Sequence, residues 1–229
     1  MAKGEDKKVK RISIDLPIEL IDGVDRLRKE WGLRRRGLVF ERLLQVILPK
    51  DIDEEVIEGL YYFWHNQNFL EFHEGQVYTG GDTYVDKDYK ESTDLHIPVN
   101  LRIPEIQNYM IALQGVLNKY IERFPFSELS RFEVKEPLSM QHYPIGGGFK
   151  QWHTERANSS PGNVYRHLVF MTYMNDVSDG GTEWYHQDKY VPAQKGYTVI
   201  WPSDWTHFHK GRVSNTLEKF IITGWFSFT

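Results

Sequence analysis

The chain has 229 residues, of which 40% are hydrophobic and 14% aromatic, and its formal net charge is −4 at pH 7. This length is enough for one large domain and one small one, each with its own core. The absence of cysteine excludes a disulfide framework and a thiolate metal site. No apolar run has membrane-spanning length, and residues 1–6 lack an apolar signal core, so we expect a cytoplasmic protein with no membrane partner.

Charge divides the chain into two parts. Residues 1–50 hold 13 basic and 8 acidic residues, a net charge of +5, whereas residues 51–229 hold 15 basic and 24 acidic residues, a net charge of −9. Such asymmetry indicates modules with different partners. We therefore predict a small module over residues 1–50 and a larger domain over residues 51–229.

The first module is predicted to form one strand and two helices. Residues 10–16 alternate, with Ile12, Ile14 and Leu16 on one face. Pro17 opens a helix that ends at Gly32, and a second helix runs from about residue 36 to residue 48. The first helix carries an apolar stripe made of Leu20, Val24, Leu27 and Trp31.

A lone strand leaves its backbone groups unpaired, and two copies could pair their strands antiparallel. Residues 9–48 resemble a ribbon-helix-helix domain, the dimeric β-ribbon reader of DNA. The resemblance implies a homodimer with DNA as a partner. Its DNA-contacting residues would be Arg11 and Ser13 on the ribbon, next to the unfavourable Asp15, and Arg34, Arg35 and Arg36 before the second helix. The alternative is a dimerisation module whose arginines are only solvated.

Residues 51–137 are predicted to contain two helices with a loop between them. The first helix follows the acidic stretch 51–55 and buries Val56, Ile57, Leu60 and Phe63. The second helix begins at Pro104 and buries Ile106, Met110, Leu113 and Leu117. Residues 73–93 show no period, so we predict a long loop that acts as a lid, with a return into a strand over residues 90–97.

From residue 138 onward the pattern changes to short runs rich in Val, Ile, Tyr, Phe and Trp, separated by Gly, Pro and Asp. This is typical of an all-β sandwich or barrel. Strands are predicted over residues 138–143, 168–174, 197–201 and 220–226. Turns are predicted at residues 146–148, 179–181 and 202–204.

One motif in this β region carries chemistry. His153 and Glu155 are two residues apart, so their side chains share a face of an extended segment. A third imidazole from His207 or His209 would complete two histidines and one carboxylate, the ligand set of non-haem Fe(II) oxygenases.

The surrounding residues resemble the double-stranded β-helix (jelly-roll) core of 2-oxoglutarate- and Fe(II)-dependent dioxygenases of the prolyl 4-hydroxylase type. The resemblance covers residues 138–228. Tyr143 stands ten residues before His153, and His209 stands ten before Lys219, with Trp225 six further on. The stretches Arg166–Asn175, Gly180–Trp184 and Val191–Gly196 also match the family's motifs. The expected fold is therefore mainly β with flanking helices, plus the small N-terminal module.

The resemblance implies a function for each of these positions. His153, Glu155 and His209 would be the metal and catalytic residues, with His209 preferred over His207 because only it precedes a cation at the family spacing. Lys219 would pair with the distal carboxylate of 2-oxoglutarate. Tyr143, Tyr173 and Trp225 would complete the cosubstrate site. Glu155 is a departure, because the family usually has aspartate there.

The implied reaction consumes dioxygen and 2-oxoglutarate, releases succinate and carbon dioxide, and hydroxylates a C–H bond, with Fe(II) as cofactor and ascorbate as an optional one. The first hypothesis for the substrate is a prolyl residue of a protein or peptide. The alternatives are a free amino acid or a nucleic acid as substrate, or a DNA-binding regulator that senses iron or 2-oxoglutarate.

Overall fold

The computed structural model of the protein describes residues 16–37, 39–40, 51–79, 82–156 and 162–229. The chain divides into two compact units, residues 1–48 and residues 49–229. No helix within these described ranges is long and apolar enough to cross a membrane.

The first unit contains helix α1 (Ile18–Glu30). It ends where predicted, because Gly32 adopts a φ of +65°, the left-handed conformation that glycine favours. The predicted apolar stripe is only partly buried: Val24 is buried, whereas Leu20 is 56% exposed. Residues 36–37 and 39–40 are helical. The predicted strand, including Arg11 and Ser13, and most of the predicted second helix lie outside the described residues.

The second unit carries two long helices on one side. Helix α2 (Glu54–Asn66) begins within the acidic stretch 51–55 that predicted its start, and helix α3 (Pro104–Arg123) begins at the predicted Pro104. Their buried faces contain the predicted Ile57, Leu60 and Phe63 on α2, and Ile106, Leu113 and Leu117 on α3. The predicted Val56 and Met110 pack against the same core but are only partly buried. Short 3-10 turns follow at Pro125–Glu128, Asn163–Tyr165 and Trp205–His207.

The rest of this unit is built of antiparallel strands, which confirms the predicted mainly β class. The strands are β1 (Phe72–Glu74), β2 (Gln76–Thr79), β3 (Asp82–Val85), β4 (Lys90–Glu91), β5 (Thr93–Ile97), β6 (Phe132–Val134), β7 (Leu138–Tyr143), β8 (Gly148–Phe149), β9 (Arg166–Tyr173), β10 (Val177–Trp184), β11 (Lys189–Ala193), β12 (Thr198–Pro202), β13 (His209–Arg212) and β14 (Lys219–Phe228).

These strands form one large sheet and one small sheet that face each other. The large sheet has the order β1-β5-β7-β14-β9-β12, with β6 also paired to β14. The small sheet has the order β11-β10-β13, and the pairs β2-β3 and β4-β8 stand beside them. Two antiparallel sheets around a common interior are the arrangement of a jelly roll.

Both faces of the central strands of the large sheet are covered, which explains why β9 and β14 carry apolar residues on both faces. On β14, Phe220 and Ile222 pack in the core against the helices, whereas Ile221 belongs to the core between the two sheets. Strand β9 divides in the same way between Phe170 and Met171. Because side chains alternate along a strand, one set of β14 residues, including Lys219 and Trp225, faces the interior between the sheets.

Two sequence predictions about this unit were wrong. The predicted loop over residues 73–93 contains strands β1 to β4, and it was missed because β1 and β3 are exposed along their whole length and show no apolar alternation. The predicted turn at residues 179–181 lies inside β10, where the register shifts between Val177 and Gly181. Gly181 has a φ of +126°, so the glycine pair forms a β-bulge rather than a turn.

Candidate active site

Three side chains converge between the two sheets. Oε1 of Glu155 lies 3.4 Å from Nε2 of His153 and 3.6 Å from Nε2 of His209. The three ligand atoms all lie within 4.8 Å of one another. Among the described residues, this is the cluster of His, Cys, Asp or Glu side chains that could hold a metal ion. Two ligands each about 2.1 Å from one ion lie about 3 Å apart at a right angle, so the spacing suits one divalent metal ion.

The backbone fixes the two imidazoles relative to each other. His153 and His209 form an isolated antiparallel β-bridge in which each N–H donates to the other's carbonyl, at 2.9 and 3.0 Å. Nδ1 of His153 lies 3.0 Å from the Gln151 carbonyl, and Nδ1 of His209 lies 2.8 Å from the His207 carbonyl. These carbonyls favour protonation at Nδ1, which leaves both Nε2 lone pairs free for a metal. Phe149 stacks on His153 with ring centroids 3.7 Å apart.

The electrostatics of this group also suit a cation. Burial alone raises the pKa of the Glu155 carboxyl, but the neighbouring imidazoles of His153 and His209 outweigh it and hold that pKa well below its usual range. Burial, followed by the charge of His153, lowers the pKa of His209. The set therefore offers an ionised carboxylate and a neutral His209 imidazole, the protonation states that metal ligation requires.

The three side chains line a cavity of about 750 Å³ whose wall also contains Lys219. Lys219 is only 5% exposed, and burial lowers its pKa from 10.5 to about 8. Nζ donates to the Arg212 carbonyl at 3.1 Å, and within the described ranges no carboxylate forms an ion pair with it. A buried cation without an anion is costly, so the site is built for an anionic ligand.

The segment that carries this site matches a known family. Residues 138–227 match the family model of the 2OG-Fe(II) oxygenase superfamily. This segment is a 2OG-Fe(II) oxygenase domain. No curated protein sequence matches the chain significantly.

Solved structures share the fold at low sequence identity. The chain is similar to a prolyl hydroxylase from Trichoplax adhaerens in complex with a peptide fragment of hypoxia inducible factor (15% identity, 93% of this chain and 94% of that chain, TM-score 0.59). It is also similar to a prolyl-4-hydroxylase from Pseudomonas putida (14%, 80% and 91%, TM-score 0.55). A viral collagen prolyl hydroxylase from Paramecium bursaria Chlorella virus-1 is a third such structure (12%, 80% and 94%, TM-score 0.53).

The cofactors of the oxygenase family, Fe(II) and 2-oxoglutarate, fit the residues that this chain supplies. Two imidazoles and one carboxylate form the open ligand set that ferrous iron takes in such enzymes. The buried ammonium group of Lys219 lacks the carboxylate that the distal end of 2-oxoglutarate would bring.

The predicted cosubstrate residues lie on the same wall of the oxygenase cavity. Tyr143 is buried and its hydroxyl donates to Oε1 of Gln141 at 2.5 Å, while the ring lies 5.2 Å from Nζ of Lys219. The Tyr173 hydroxyl lies 2.7 Å from Oγ1 of Thr182. Burial raises the pKa of both phenols far above the usual range, so both hydroxyls are neutral. The Tyr143 proton is used in the bond to Gln141, whereas either oxygen can be the donor between Tyr173 and Thr182.

Sequence reasoning missed a network behind Glu155. Arg166 forms a forked ion pair with Glu136 and its guanidinium lies 3.5 Å from the centre of the Trp225 ring. Nε1 of Trp225 donates to Oε2 of Glu155 at 3.2 Å. In the sequence Arg166 belongs to a motif of the family, and the signal for its role is a cation at the start of a mainly apolar strand.

A second missed feature is a buried ion pair in the cavity wall. Nζ of Lys90 donates to Oδ2 of Asp94 at 2.5 Å, and Oγ of Ser92 donates to Oδ1 at 2.7 Å. Lys90 and Asp94 are 5% and 3% exposed. Their four-residue spacing is visible in the sequence, but residues 90–97 are predicted only as a return into a strand, with no role for the two charges.

The remaining predicted site residues are placed as follows. His207 lies outside the metal-binding group, and its Nδ1 is 3.0 Å from Oγ1 of Thr206. Arg34 and Arg35 are exposed in the first unit. Arg36 is held by an ion pair with Asp25 at 2.5 Å, and hydrogen bonding from Arg36 lowers the pKa of Asp25 to about 2.

Proposed function

We propose that this chain is a 2-oxoglutarate-dependent hydroxylase that uses Fe(II) to hydroxylate a prolyl residue of a protein or peptide. The observation that carries the proposal is the presence, in one cavity, of the His153–Glu155–His209 group and the unpaired buried cation Lys219. An open metal site and an anion site side by side are what a keto-acid cosubstrate needs.

Each group has a defined role in this proposal. His153, Glu155 and His209 hold the metal. Lys219 binds the distal carboxylate of the cosubstrate, and Tyr143 and Tyr173, which line the same cavity, orient it. The chemistry supplied by bound iron and 2-oxoglutarate is oxidation of a C–H bond to an alcohol by dioxygen, coupled to release of succinate and carbon dioxide. The protein supplies binding, orientation and exclusion of water.

The substrate class is supported by the cavity and by the similar structures. The cavity has room for a side chain beyond the cosubstrate, and the hairpin of β2 and β3 contributes Gln76 and Tyr78 to its wall. The similar structures are named as prolyl hydroxylases, and one of them contains a bound peptide. A free amino acid or a nucleic acid remains the alternative substrate.

The test is a comparison of succinate release with three substrate types: proline-containing peptides, free proline and single-stranded DNA. Iron, 2-oxoglutarate and dioxygen are present throughout. We expect peptide-stimulated succinate release together with a gain of one oxygen atom on a prolyl residue by mass spectrometry. Stimulation by DNA or free proline but not by any peptide would refute the substrate class, and no succinate under any condition would refute the enzyme.

We further propose that the first unit makes the protein a homodimer. An apolar groove in this unit is lined by side chains that include Leu16, Leu20, Val24 and Phe40. A second copy would cover this surface, and DNA contact through Arg34 and Arg35 would follow from it. Sedimentation of the full chain tests the dimer: Leu20→Glu should give a monomer, whereas Ile111→Glu, at a more exposed position of α3, should not. A monomeric wild-type chain would refute this proposal.

A further inference from the structure

The two oxygens of the Glu155 carboxylate have different surroundings. Oε1 faces the two imidazoles, at 3.4 Å from His153 and 3.6 Å from His209. Oε2 faces the opposite way: it accepts a hydrogen bond from Nε1 of Trp225 at 3.2 Å and lies 3.5 Å from Nη1 of Arg166. One oxygen is therefore free for a metal, and the other is occupied by the protein.

The donors to Oε2 are themselves fixed. Arg166 is anchored by the forked ion pair to Glu136, and Nη1 also donates to the Glu155 backbone carbonyl at 3.2 Å. Its guanidinium stacks on the Trp225 ring at 3.5 Å from the centroid. Arg166 is 12% exposed and Glu155 is 18% exposed, so water competes little for these contacts.

The length of the side chain decides whether both contacts can form. The backbone of Glu155 is fixed by its N–H, which donates to the Ser203 carbonyl at 3.1 Å. Aspartate is shorter by one carbon–carbon bond, about 1.5 Å. From the same backbone position, an aspartate that kept its bond to Trp225 would withdraw from the imidazoles, and one that approached them would lose Trp225.

We propose that the stacked pair of Arg166 and Trp225 positions Glu155 as a one-oxygen metal ligand, and that glutamate rather than aspartate is required at this position. This inference rests on the proposed metal site. Arg166 and Trp225 act through Glu155, so they are positioning residues, and their loss lets the carboxylate rotate.

The experiment is titration of the full chain with Co²⁺, read by calorimetry and by the visible absorption bands of bound Co²⁺. Trp225→Phe removes the N–H but keeps a ring beneath Arg166. We expect it to weaken Co²⁺ binding by about tenfold, within the range of about 10- to 100-fold for groups that orient a metal ligand, and to shift the Co²⁺ bands. Glu155→Asp is expected to weaken binding by a similar factor.

The double variant separates positioning from a general loss of packing. If Trp225 acts through Glu155, the two losses of Co²⁺ binding free energy are not additive. The double variant then binds Co²⁺ about as tightly as the single variant with the lower affinity. Three results would each overturn the inference. The first is a double variant in which the two losses of Co²⁺ affinity multiply. The others are an unchanged affinity and spectrum in Trp225→Phe, and tighter Co²⁺ binding in Glu155→Asp.

Two controls complete the design. Trp184→Phe removes an indole N–H that has no hydrogen-bond partner in the described structure, 6.4 Å from the His209 ring, and should bind Co²⁺ within about twofold of the wild type. His153→Ala reports on the metal site itself. If it binds Co²⁺ as the wild type does, the proposed metal site is wrong; if it does not bind while Trp225→Phe is unaffected, only the positioning role fails.

Discussion

Lys90 and Lys219 form a natural pair for a test of the electrostatics, because both line the cavity and both are 5% exposed. Lys90 has the Asp94 carboxylate at 2.5 Å, whereas Lys219 has a backbone carbonyl at 3.1 Å and the Tyr143 ring at 5.2 Å, and no carboxylate of the described residues pairs with it. Replacement by methionine keeps most of the volume and removes the charge. We expect the two replacements to change stability in opposite directions.

The magnitude for Lys219 follows from its pKa. Burial lowers that pKa from 10.5 to about 8, and the difference corresponds to a cost of about 3 kcal/mol for the charged form below pH 8. The hydrogen bond to the Arg212 carbonyl offsets about 1 kcal/mol of this cost. Lys219→Met should therefore stabilise the ligand-free protein by about 2 kcal/mol at pH 7, or raise the melting temperature by roughly 4–8 °C.

For Lys90 the sign is reversed. Lys90→Met leaves the Asp94 carboxylate buried, with the Ser92 hydroxyl as its remaining partner among the described residues, and breaking a buried pair in this way costs about 3–5 kcal/mol.

Thermal unfolding with and without iron and 2-oxoglutarate measures both effects. In the wild type the ligands should raise the melting temperature, and in Lys219→Met this increase should be lost, since 2-oxoglutarate affinity falls by a factor of hundreds or more. A ligand-free Lys219→Met that melts well below the wild type, or that retains the full ligand effect, would refute the reasoning about an unpaired cation.

Three further predictions concern the metal, the pH and the fold. His153→Ala should abolish Fe(II) binding in a metal titration whereas His207→Ala should retain it, and the reverse pattern would reassign the ligands. Because Lys219 must be charged to bind the cosubstrate, the affinity for 2-oxoglutarate should fall about tenfold per pH unit above pH 8, and a flat profile from pH 7 to 9.5 would contradict this. Gly181→Ala should lower the melting temperature, because φ is +126° and the added Cβ would lie 2.3 Å from the Val191 carbonyl. Gly115→Ala, in open space on α3, should be neutral or stabilising by calorimetry.

The parts of the fold that follow from sequence are those in which one face of an element is buried. Helices α2 and α3 carry apolar stripes that meet one side of the large sheet, and β7, β9, β12 and β14 are apolar because both of their faces are covered. Strands β1 and β3 could not be predicted in the same way, since they are exposed along their whole length and show no apolar alternation. The sequence predicts a turn where Gly181 forms a bulge, because glycine pairs occur in both structures.

The candidate site was predictable for a different reason, because its chemistry requires rare residue types at short spacings. His153 and Glu155 are close in sequence. His209 stands ten residues before Lys219, which is the spacing found in the family. The Arg166–Trp225 stack and the Lys90–Asp94 pair depend on distant segments that the sheet brings together. No local pattern reveals such contacts, since each partner alone reads as an ordinary charged or aromatic residue.

The charged residues in the cavity fall into two classes, those that stabilise the fold by pairing with each other and those that are left for ligands. Lys90 and Asp94 balance each other, so their removal as a pair need not change what the cavity binds. Glu155 and Lys219 lie in the same cavity, yet they do not neutralise each other: Glu155 is turned toward two imidazoles, and Lys219 is held by a carbonyl. A carboxylate that prefers a cation and an ammonium that prefers an anion are thus kept apart within one cavity. A divalent metal would neutralise the charge of the Glu155 carboxylate, and a dicarboxylate would neutralise the charge of the Lys219 ammonium group. We therefore expect the two ligands together to stabilise the second unit more than either ligand does alone.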